Sequence, residues 1–339
     1  LRRRRDGRPL ALLPLCALLA LTRRSDHLGA SPDGSTCTVL NKTDGALHTF
    51  ATPPYEIFVH VIGWPRSGSS LLAAIMAAHP HMAMANEYDT LEDFTGASSP
   101  TRAQVTCRIV AKTTGYGAYS ASYHNGTRLH WDVPGGWMSS ITRPLHLIGG
   151  KKVGVPVRRH VADPAASWRS IHAMAAVMGP IKWIYMTRSP YNQISTALVR
   201  RYTRANDIDY YEGSWRASLP LSITSDALQD QIEKFEQVCA GASDQLLGIE
   251  QRGLGGVYKL AYEDLVLDTA AVLPRMCAFL GVACTDAYVS TVVGFMRPPH
   301  DSWRYFAWPP GLLANISQSI ERQPAHLEYA RYTLPDVGA

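Results

Sequence analysis

The sequence lacks the paired cysteines of a zinc site, because its six cysteines are irregularly spaced and none belongs to a Cys-x-x-Cys pair. It also has no internal repeats, no long low-complexity tracts and only short basic runs. A net charge of +5 over 339 residues is too small and too dispersed to indicate nucleic acid as a partner, although it suits anionic ligands. Charged residues make up 18% of the chain and apolar residues 46%, which is typical of a globular protein.

A long apolar run is missing at the N-terminus. The run over residues 10–21 has twelve residues, whereas a membrane span needs roughly 17–25. Arginines flank this run at 2–5 and 23–24, so we predict that residues 1–24 are a signal peptide or a short signal-anchor. A disordered N-terminus with a buried apolar helix is the alternative. Sequons for N-glycosylation favour the secretory pathway and begin at Asn41, Asn125 and Asn315.

Composition divides the rest of the chain into a linker and one large domain. Residues 25–53 are rich in Ser, Thr, Gly, Asp and Pro, which predicts a linker or stem. Residues 54–335 are long enough to bury a sizeable core. Strand-like apolar runs alternate there with helical patterns, which predicts a three-layer, P-loop-like α/β domain with a central, mainly parallel sheet flanked by helices. Cys16 lies in the apolar leader, and the other five cysteines are equally compatible with one or two disulfides or with buried free thiols.

A strand, a tight loop and a helix are predicted in succession over residues 57–76. An apolar, β-branched run leads into a turn that contains Gly63 and Gly68, and apolar residues at helical spacing follow. Such a loop directs backbone N–H groups and the positive end of the helix at one spot. It therefore predicts an anion-binding site.

This loop departs from the Walker pattern of nucleoside-triphosphate hydrolases. The GxxxxG spacing is present, but Ser69 and Ser70 stand where the Walker pattern has Lys-Ser/Thr. The missing lysine argues against ordinary ATP or GTP hydrolysis. Because the positive charge lies earlier, at Arg66, we predict a phosphate loop for another kind of ligand.

Polar residues follow two other predicted strands. Glu87 ends a short strand, at the position where α/β sheets bind ligands and where a carboxylate near a bound phosphate can act as a general base; a surface or capping glutamate is the alternative. Arg188 ends a longer strand, and Ser195 or Thr196 lies about two turns into the next helix, with Arg200 one turn further. Arginine and a hydroxyl together suit a phosphate monoester; an arginine paired with a core carboxylate is the alternative.

The two loops together predict a ligand with phosphate groups at two separated places, as in 3′-phosphoadenosine 5′-phosphosulfate (PAPS). The chain resembles the PAPS-dependent sulfotransferase family. Residues 63–72 are similar to that family's 5′-phosphosulfate loop, in the arginine form typical of Golgi members, and the segment from Arg188 is similar to its 3′-phosphate motif. A His-Pro pair and Glu87 keep the spacing of the tyrosylprotein and Golgi carbohydrate sulfotransferases. Residues 262–266 resemble the family's late strand and helix.

The resemblance implies a role for each matching residue. Glu87 is implied to be the catalytic base, Arg66 to stabilise charge on the leaving phosphate, and Lys152 to assist the bridging oxygen. Thr196 has the family's usual spacing from Arg188, and Ser195 is one residue early, so Thr196 is preferred. No metal is implied. The residues implied to bind PAPS are Arg66, Ser67, Gly68, Ser69, Ser70, Arg188, Ser195, Thr196, Arg200 and Tyr262.

The implied activity is transfer of the sulfuryl group from PAPS to an acceptor hydroxyl. A glycan is the first expectation for the acceptor, and a protein tyrosine is the second. An N-terminal membrane anchor, a Golgi or secretory-pathway lumen and a homodimer are further expectations. Two other classes stay open, a P-loop kinase that acts on a small molecule or nucleotide, and a catalytically silent nucleotide-binding protein.

Overall fold

The structure is a computed structural model that describes residues 29–31, 33–40, 47–96, 98–120, 133–134, 144–208, 214–299, 301–308 and 311–333. The expected signal peptide or anchor, residues 1–24, lies outside these described residues. Among the helices in the described ranges, none has both the length and the apolar character that crossing a membrane requires.

In this part of the chain, ten strands form three sheets. The strands are Gly29–Ala30 (β1), Thr36–Leu40 (β2), Leu47–Ala51 (β3), Ile57–Gly63 (β4), Met82–Asn86 (β5), Leu147–Lys151 (β6), Ile181–Thr187 (β7), Leu221–Ser222 (β8), Gly256–Ala261 (β9) and Phe306–Ala307 (β10).

The α-helices connect and follow these strands. They are Ser69–Ala77 (α1), Arg102–Ser120 (α2), Val155–Ala162 (α3), Pro164–Met178 (α4), Pro190–Ala205 (α5), Ser225–Gln251 (α6), Tyr262–Leu267 (α7), Thr269–Leu280 (α8), Asp286–Phe295 (α9) and Leu312–Glu321 (α10). Short 3-10 helices cover Thr90–Phe94, Ser214–Ser218, Ser302–Tyr305, Ala325–Leu327 and Tyr329–Arg331.

The central sheet has five parallel strands in the order β5-β6-β4-β7-β9. Strands β4 and β7 are continuous apolar runs with nearly every residue buried, because helices cover both faces of the sheet. Helices α1, α7, α8 and α9 lie on one face, and α2 to α6 together with α10 lie on the other. The predicted three-layer α/β domain is therefore confirmed, and the central sheet is parallel throughout.

A small antiparallel sheet of β1, β2 and β3 lies within the range predicted as a linker, residues 25–53. A disulfide joins the buried Cys37 of β2 to Cys107 of α2 and fixes this sheet to the domain. The structure thus differs from the linker prediction between residues 29 and 51. The reason is that Ser, Thr, Gly and Asp are typical of hairpin turns as well as of linkers.

Helix α2 lies within residues 90–140, which are polar and show no clear pattern in the sequence; the Tyr, Ser, Thr and Gly residues of 113–127 predict a long excursion there. Its buried residues Val105 and Ile109 are four positions apart and pack in the core. The hydroxyls of Thr106 and Thr113 each donate to the carbonyl oxygen four residues earlier, at 2.8 Å. These bonds satisfy the polar side chains within the helix, so the region is helical despite its composition.

Candidate functional site

The phosphate loop lies at the carboxyl end of the middle strand, β4, and leads into α1. Gly68 caps α1 in the left-handed conformation, with φ 88°. The N–H of Gly154, at the start of α3, donates to the carbonyl oxygen of Gly63 over 3.0 Å, so the loop is held from the neighbouring strand connection. The first N–H groups of a helix have no carbonyl partners within it, so the start of α1 beside the loop is a potential anion site.

Two predicted catalytic residues have unusual backbone angles. Four non-glycine residues in the described ranges have positive φ, and Arg66 (75°) and Glu87 (57°) are two of them. Such conformations are unfavourable by about 1–3 kcal/mol each and are concentrated at functional sites. Both positions with this unusual backbone conformation are ones that the sequence pattern selects, and their catalytic roles stay predictions.

Tyr262 and Arg188 meet at the phosphate loop. A Cβ atom added to Gly68 would lie 2.2 Å from Cδ2 of Tyr262, so the ring lies directly against the loop. The Arg188 guanidinium lies 4.5 Å from the centre of this ring, and its Nη1 donates to the carbonyl oxygen of Arg66 over 3.1 Å. The structure thus brings the second strand–turn–helix against the first, as the sequence predicts.

Glu263, a residue that the sequence pattern did not select, stabilises the turn that follows Arg188. Its Oε1 accepts a hydrogen bond from the N–H of Ser189, at 3.0 Å, and its Oε2 accepts one from the Tyr332 hydroxyl, at 2.8 Å. It therefore joins the turn after β7 to the C-terminal segment. Its position next to Tyr262, at the end of a strand, was the signal available in the sequence.

Glu87 lies between two lysines at the ends of adjacent strands. Asn86 is in register with Lys151, and the N–H of Tyr88 donates to the carbonyl oxygen of Lys151, at 3.1 Å. Between these pairings, the Glu87 side chain receives a hydrogen bond from Lys151 Nζ on Oε1 and one from Lys152 Nζ on Oε2, the latter at 2.6 Å. The Glu87 side chain keeps 46% of its surface exposed, so a substrate can reach it.

Lys151 is the site residue that the sequence reasoning missed in favour of its neighbour. Only 2% of its side chain is exposed, against 32% for Lys152. Its Nζ also donates to the Ser70 hydroxyl at the start of α1, over 2.8 Å. Lys151 therefore bridges the phosphate-loop helix and the Glu87 carboxylate, while Lys152 contacts the carboxylate from the solvent side.

The charges of this cluster shift each other's pKa values. Burial alone raises the pKa of Glu87, but the two lysines outweigh it and hold that pKa below its usual range. Burial lowers the pKa of Lys151, and the attraction of Glu87 offsets only part of this effect. The direction for Glu87 means that it is a carboxylate at neutral pH and is able to accept a proton.

The hydroxyls predicted to bind a 3′-phosphate lie on α5 and are both buried. Thr196 donates to the carbonyl oxygen of Asn192, at 2.7 Å, and lies 3.0 Å from the Ser302 hydroxyl. Ser195 is fully buried, and its hydroxyl has no hydrogen-bond partner in the described structure. Arg200, one turn after Thr196, is half-buried on the same helix. Whether Ser195 or Thr196 is the ligand stays a prediction.

Buried hydroxyls without partners test whether an anionic ligand fits. The Ser67 hydroxyl, in the middle of the phosphate loop, is buried and has no partner among the described residues, which is also true of Ser195. A buried hydroxyl of this kind is unfavourable unless a ligand or a water molecule accepts its hydrogen bond. Phosphate oxygens meet this need, so the loop residues fit a phosphorylated ligand. In the described ranges, no group of three or more His, Cys, Asp or Glu residues is placed to hold a metal.

Comparisons with known proteins identify one family. The model of the sulfotransferase family matches residues 58–286, which is more than half of the chain. A search of curated proteins finds no match.

Three sulfotransferases are among the solved structures that the comparison found. The sulfotransferase domain of the Synechococcus PCC 7002 olefin synthase is 18% identical, with a TM-score of 0.41, and the alignment covers 84% of this chain and 97% of that domain. Sulfotransferase STF9 from Mycobacterium avium is 11% identical, with a TM-score of 0.43 and coverage of 83% and 78%. Mouse sulfotransferase SULT7A1, solved with PAP, is 10% identical, with a TM-score of 0.38 and coverage of 81% and 88%. By its family model, this chain belongs to the sulfotransferase family and is an enzyme of that family.

Proposed function

We propose that this enzyme transfers the sulfuryl group of PAPS to a hydroxyl of a glycan acceptor, with Glu87 as the general base. The observation that supports this assignment best is the contact of Lys151 with both Glu87 and Ser70, because it joins a carboxylate to the start of a phosphate-loop helix. Transfer to a hydroxyl needs both parts within one site, a base for the acceptor and an anion site for the donor.

The 5′-phosphosulfate end of PAPS is assigned to the phosphate loop. The N–H groups at the start of α1, the hydroxyls of Ser67, Ser69 and Ser70, and the Arg66 guanidinium supply donors there. Their positive potential stabilises the charge that develops on the 5′-phosphate oxygen as the bond to sulfur breaks.

The 3′-phosphate end is assigned to Arg188 and α5. Arg188 is held by the carbonyl of Arg66 and by the ring of Tyr262, so its guanidinium is oriented before the ligand arrives. Thr196 or Ser195 supplies the hydroxyl, and Arg200 a second guanidinium, one turn further along α5. Tyr262 is placed against both loops and is assigned to the nucleotide between them.

The reaction itself is a single displacement at sulfur. Glu87 removes the proton from the acceptor hydroxyl, the oxygen forms a bond to sulfur, and the bond between sulfur and the 5′-phosphate oxygen breaks with its electron pair on the phosphate. General-base catalysis of this kind is typically worth about 10²–10⁴-fold. The products are a sulfate ester and PAP.

The lysines adjust the strength of the base. With both ammonium groups on its oxygens, Glu87 has a low pKa and is a weak base. A bound phosphosulfate offers Lys151 and Lys152 a second anion, and an ammonium group that turns towards the donor lets the pKa of Glu87 rise. The donor then strengthens the base, and Lys152 is the more exposed and therefore the more mobile of the two.

The location that we propose is a lumen of the secretory pathway. The disulfide between Cys37 and Cys107 supports it, because such bonds persist in oxidising compartments. The basic and apolar N-terminal sequence supplies a means of entry, as a cleaved signal or as the anchor of a single-pass type II membrane protein.

The Glu87→Gln variant tests the proposed reaction. We expect it to bind PAP with unchanged affinity and to lose transfer of ³⁵S from labelled PAPS by about 10²-fold or more. Calorimetric titration with PAP and a screen of glycan and tyrosine-peptide acceptors measure the two properties. Normal turnover by this variant would refute the assignment of the base. Stabilisation of the wild type by ATP with Mg²⁺, but not by PAP, in a thermal-shift assay would contradict the proposed donor.

A further inference from the structure

A second concave site is lined by the segment that follows the proposed base and shares no residue with the proposed donor site. This cavity of about 220 Å³ lies between the Thr90–Phe94 helix, the turn that follows it and helices α3 and α4. Such a volume is smaller than the roughly 300–1,000 Å³ of sites that enclose a whole ligand. It therefore suits one substituent of a larger molecule. Its lining includes Phe94, Thr95, Ser99, Arg159, Arg169 and Ser170.

Two of the segments that line the cavity are connected to the proposed active site. Asp89 lies two residues after Glu87 and forms an ion pair with the lining residue Arg159, with 3.2 Å between Oδ2 and Nη2. Arg159 is also five residues along α3 from Gly154, which packs against Pro65 of the phosphate loop. At a helical rise of about 1.5 Å per residue, that separation is roughly 7–8 Å. An acceptor bound at Glu87 thus reaches the cavity with the unit next to the reacting one.

The charge of the lining residues has one sign. Arg159 and Arg169 are cations, and none of the described residues that line the cavity is acidic. The buried Asp89 pairs with Arg159 through Nη2, and Glu92 lies 3.8 Å from the same atom, but Nη1 of Arg159 is buried and has no hydrogen-bond partner among the described residues. Arg169 is exposed and forms no ion pair within the described ranges. The exposed guanidinium group of Arg169 therefore has donors available for an anion.

The remaining lining residues favour a sugar. Thr95, Ser99 and Ser170 contribute hydroxyls, and Phe94 contributes an apolar surface. Hydroxyls and one aromatic surface suit the polar edge and the apolar face of a pyranose ring.

We propose that this cavity is an acceptor subsite that binds the anionic group, carboxylate or sulfate ester, of the sugar next to the one that is sulfated. The proposal rests on the proposed function, because it assumes that a glycan hydroxyl reaches Glu87. Arg169 is the residue of the subsite that determines specificity, and the ion pair with Asp89 holds Arg159 in the wall of the same cavity.

Kinetics with paired acceptors test the subsite. The probes are a glucuronic-acid-containing disaccharide and its neutral glucose counterpart, with labelled PAPS as donor. We expect the wild type to have a KM about tenfold lower for the acidic disaccharide than for the neutral one. One charge-assisted hydrogen bond provides a difference of this size. Arg169→Gln should remove most of this preference and leave the KM for PAPS unchanged.

The matched control is Arg275→Gln, which removes an exposed arginine from α8 on the opposite face of the sheet. It should keep the full preference. Equal use of the two disaccharides by the wild type, or an undiminished preference in Arg169→Gln, overturns the proposal.

A binding measurement separates this proposal from the proposed function. The acidic disaccharide is titrated into the PAP-loaded wild type and into the Arg169→Gln variant by calorimetry. Binding that Arg169→Gln abolishes, in an enzyme that transfers no sulfate to any acceptor of the glycan and peptide screen, supports the subsite and refutes the proposed reaction. No binding by the wild type overturns the subsite. Arg169-dependent binding of an acidic peptide, but not of the disaccharide, overturns the assignment to a sugar.

Discussion

The Nζ atom of Lys151 donates a hydrogen bond to the Ser70 hydroxyl, 2.8 Å away, and pairs at the same time with the Glu87 carboxylate. One buried ammonium group thus connects the start of the phosphate-loop helix with the proposed base. In a P-loop, the lysine comes from the loop itself. Here, the loop has serine at that position, and a neighbouring strand supplies the buried positive charge.

Removal of Lys151 should move the pH dependence of transfer. The pKa of Glu87 is below its usual range because two lysines outweigh its burial, so Lys151→Met should raise that pKa. The loss of an opposite charge at this distance is worth about 1–3 pH units. The acid limb of kcat/KM against pH, which reports the base of the free enzyme, should shift to higher pH by that amount.

Lys152→Met is the matched control for this shift. It removes the same charge from the same carboxylate, but from a more exposed side chain whose field water screens more strongly. Its acid limb should therefore move less than that of Lys151→Met. An acid limb that neither variant moves would mean that a group other than Glu87 titrates there.

Gly68→Ala should damage the phosphate loop. The residue has φ 88°, and a Cβ atom there would lie 2.2 Å from the Tyr262 ring. The left-handed conformation alone is unfavourable for alanine by about 1–2 kcal/mol, which is a factor of about 5–30 in the population of the native loop. PAP affinity, measured by calorimetry, should fall by at least that factor.

The control for the loop is Gly294→Ala, since Gly294 lies in α9 with open space around its Cβ position. Alanine is favoured over glycine in a helix by about 0.5–1 kcal/mol, so this variant should keep its PAP affinity and melt at a slightly higher temperature. Equal PAP affinity in both variants would contradict the role of the loop.

Arg188 should tolerate neither alanine nor lysine fully. Arg188→Ala should weaken PAP binding about tenfold or more, the effect of one charge-assisted hydrogen bond. Arg188→Lys keeps the charge but loses the planar group on Tyr262 and the bond to the carbonyl of Arg66, so its affinity should be intermediate. Arg201→Ala, which removes an exposed ion pair between α5 and Asp230 of α6, should bind PAP normally.

His60 should make the fold sensitive to acid. It is fully buried in β4, and burial lowers its pKa to about 4, whereas the unfolded chain has a value near 6.5. Between these values, the unfolded state binds a proton that the native state does not, so stability falls as the pH drops from about 6.5 to about 4. The loss is about 3 kcal/mol at the lower end.

Urea unfolding at pH 7 and pH 4.5 checks this prediction in the wild type and in His60→Leu. The wild type should lose more free energy of unfolding between the two pH values than the variant does. Equal losses would show that His60 is not responsible.

The sequence pattern identified the residues that follow strands, because strand ends and glycine turns can be predicted from apolar runs. Arg66, Glu87 and Arg188 were selected in this way. In the structure, Glu87 is connected to the loop helix through Lys151, and Arg188 donates a hydrogen bond to the loop itself. Choosing between Lys151 and Lys152 was beyond the pattern. Adjacent residues of a strand face opposite sides, so an uncertainty of one residue in the strand end exchanges the buried lysine for the exposed one.

The parts that the sequence did not predict depend on long-range pairing. The antiparallel sheet of residues 29–51 has a polar composition, and its attachment depends on a disulfide whose partner lies 70 residues away. The pairing of cysteines cannot be deduced from their number. Helix α2 was missed for a related reason, since its polar residues form hydrogen bonds inside the helix and only a few apolar residues mark its buried face.

The Cys37–Cys107 disulfide determines where a recombinant form of the enzyme can start and in which compartment it can be produced. A truncated gene that starts at residue 54, where composition places the domain boundary, would discard Cys37 and leave Cys107 as an unpaired thiol at the core side of α2. Expression in a reducing cytoplasm would have the same effect on the full chain. A recombinant form should therefore begin before residue 29 and be secreted by a host that forms disulfides.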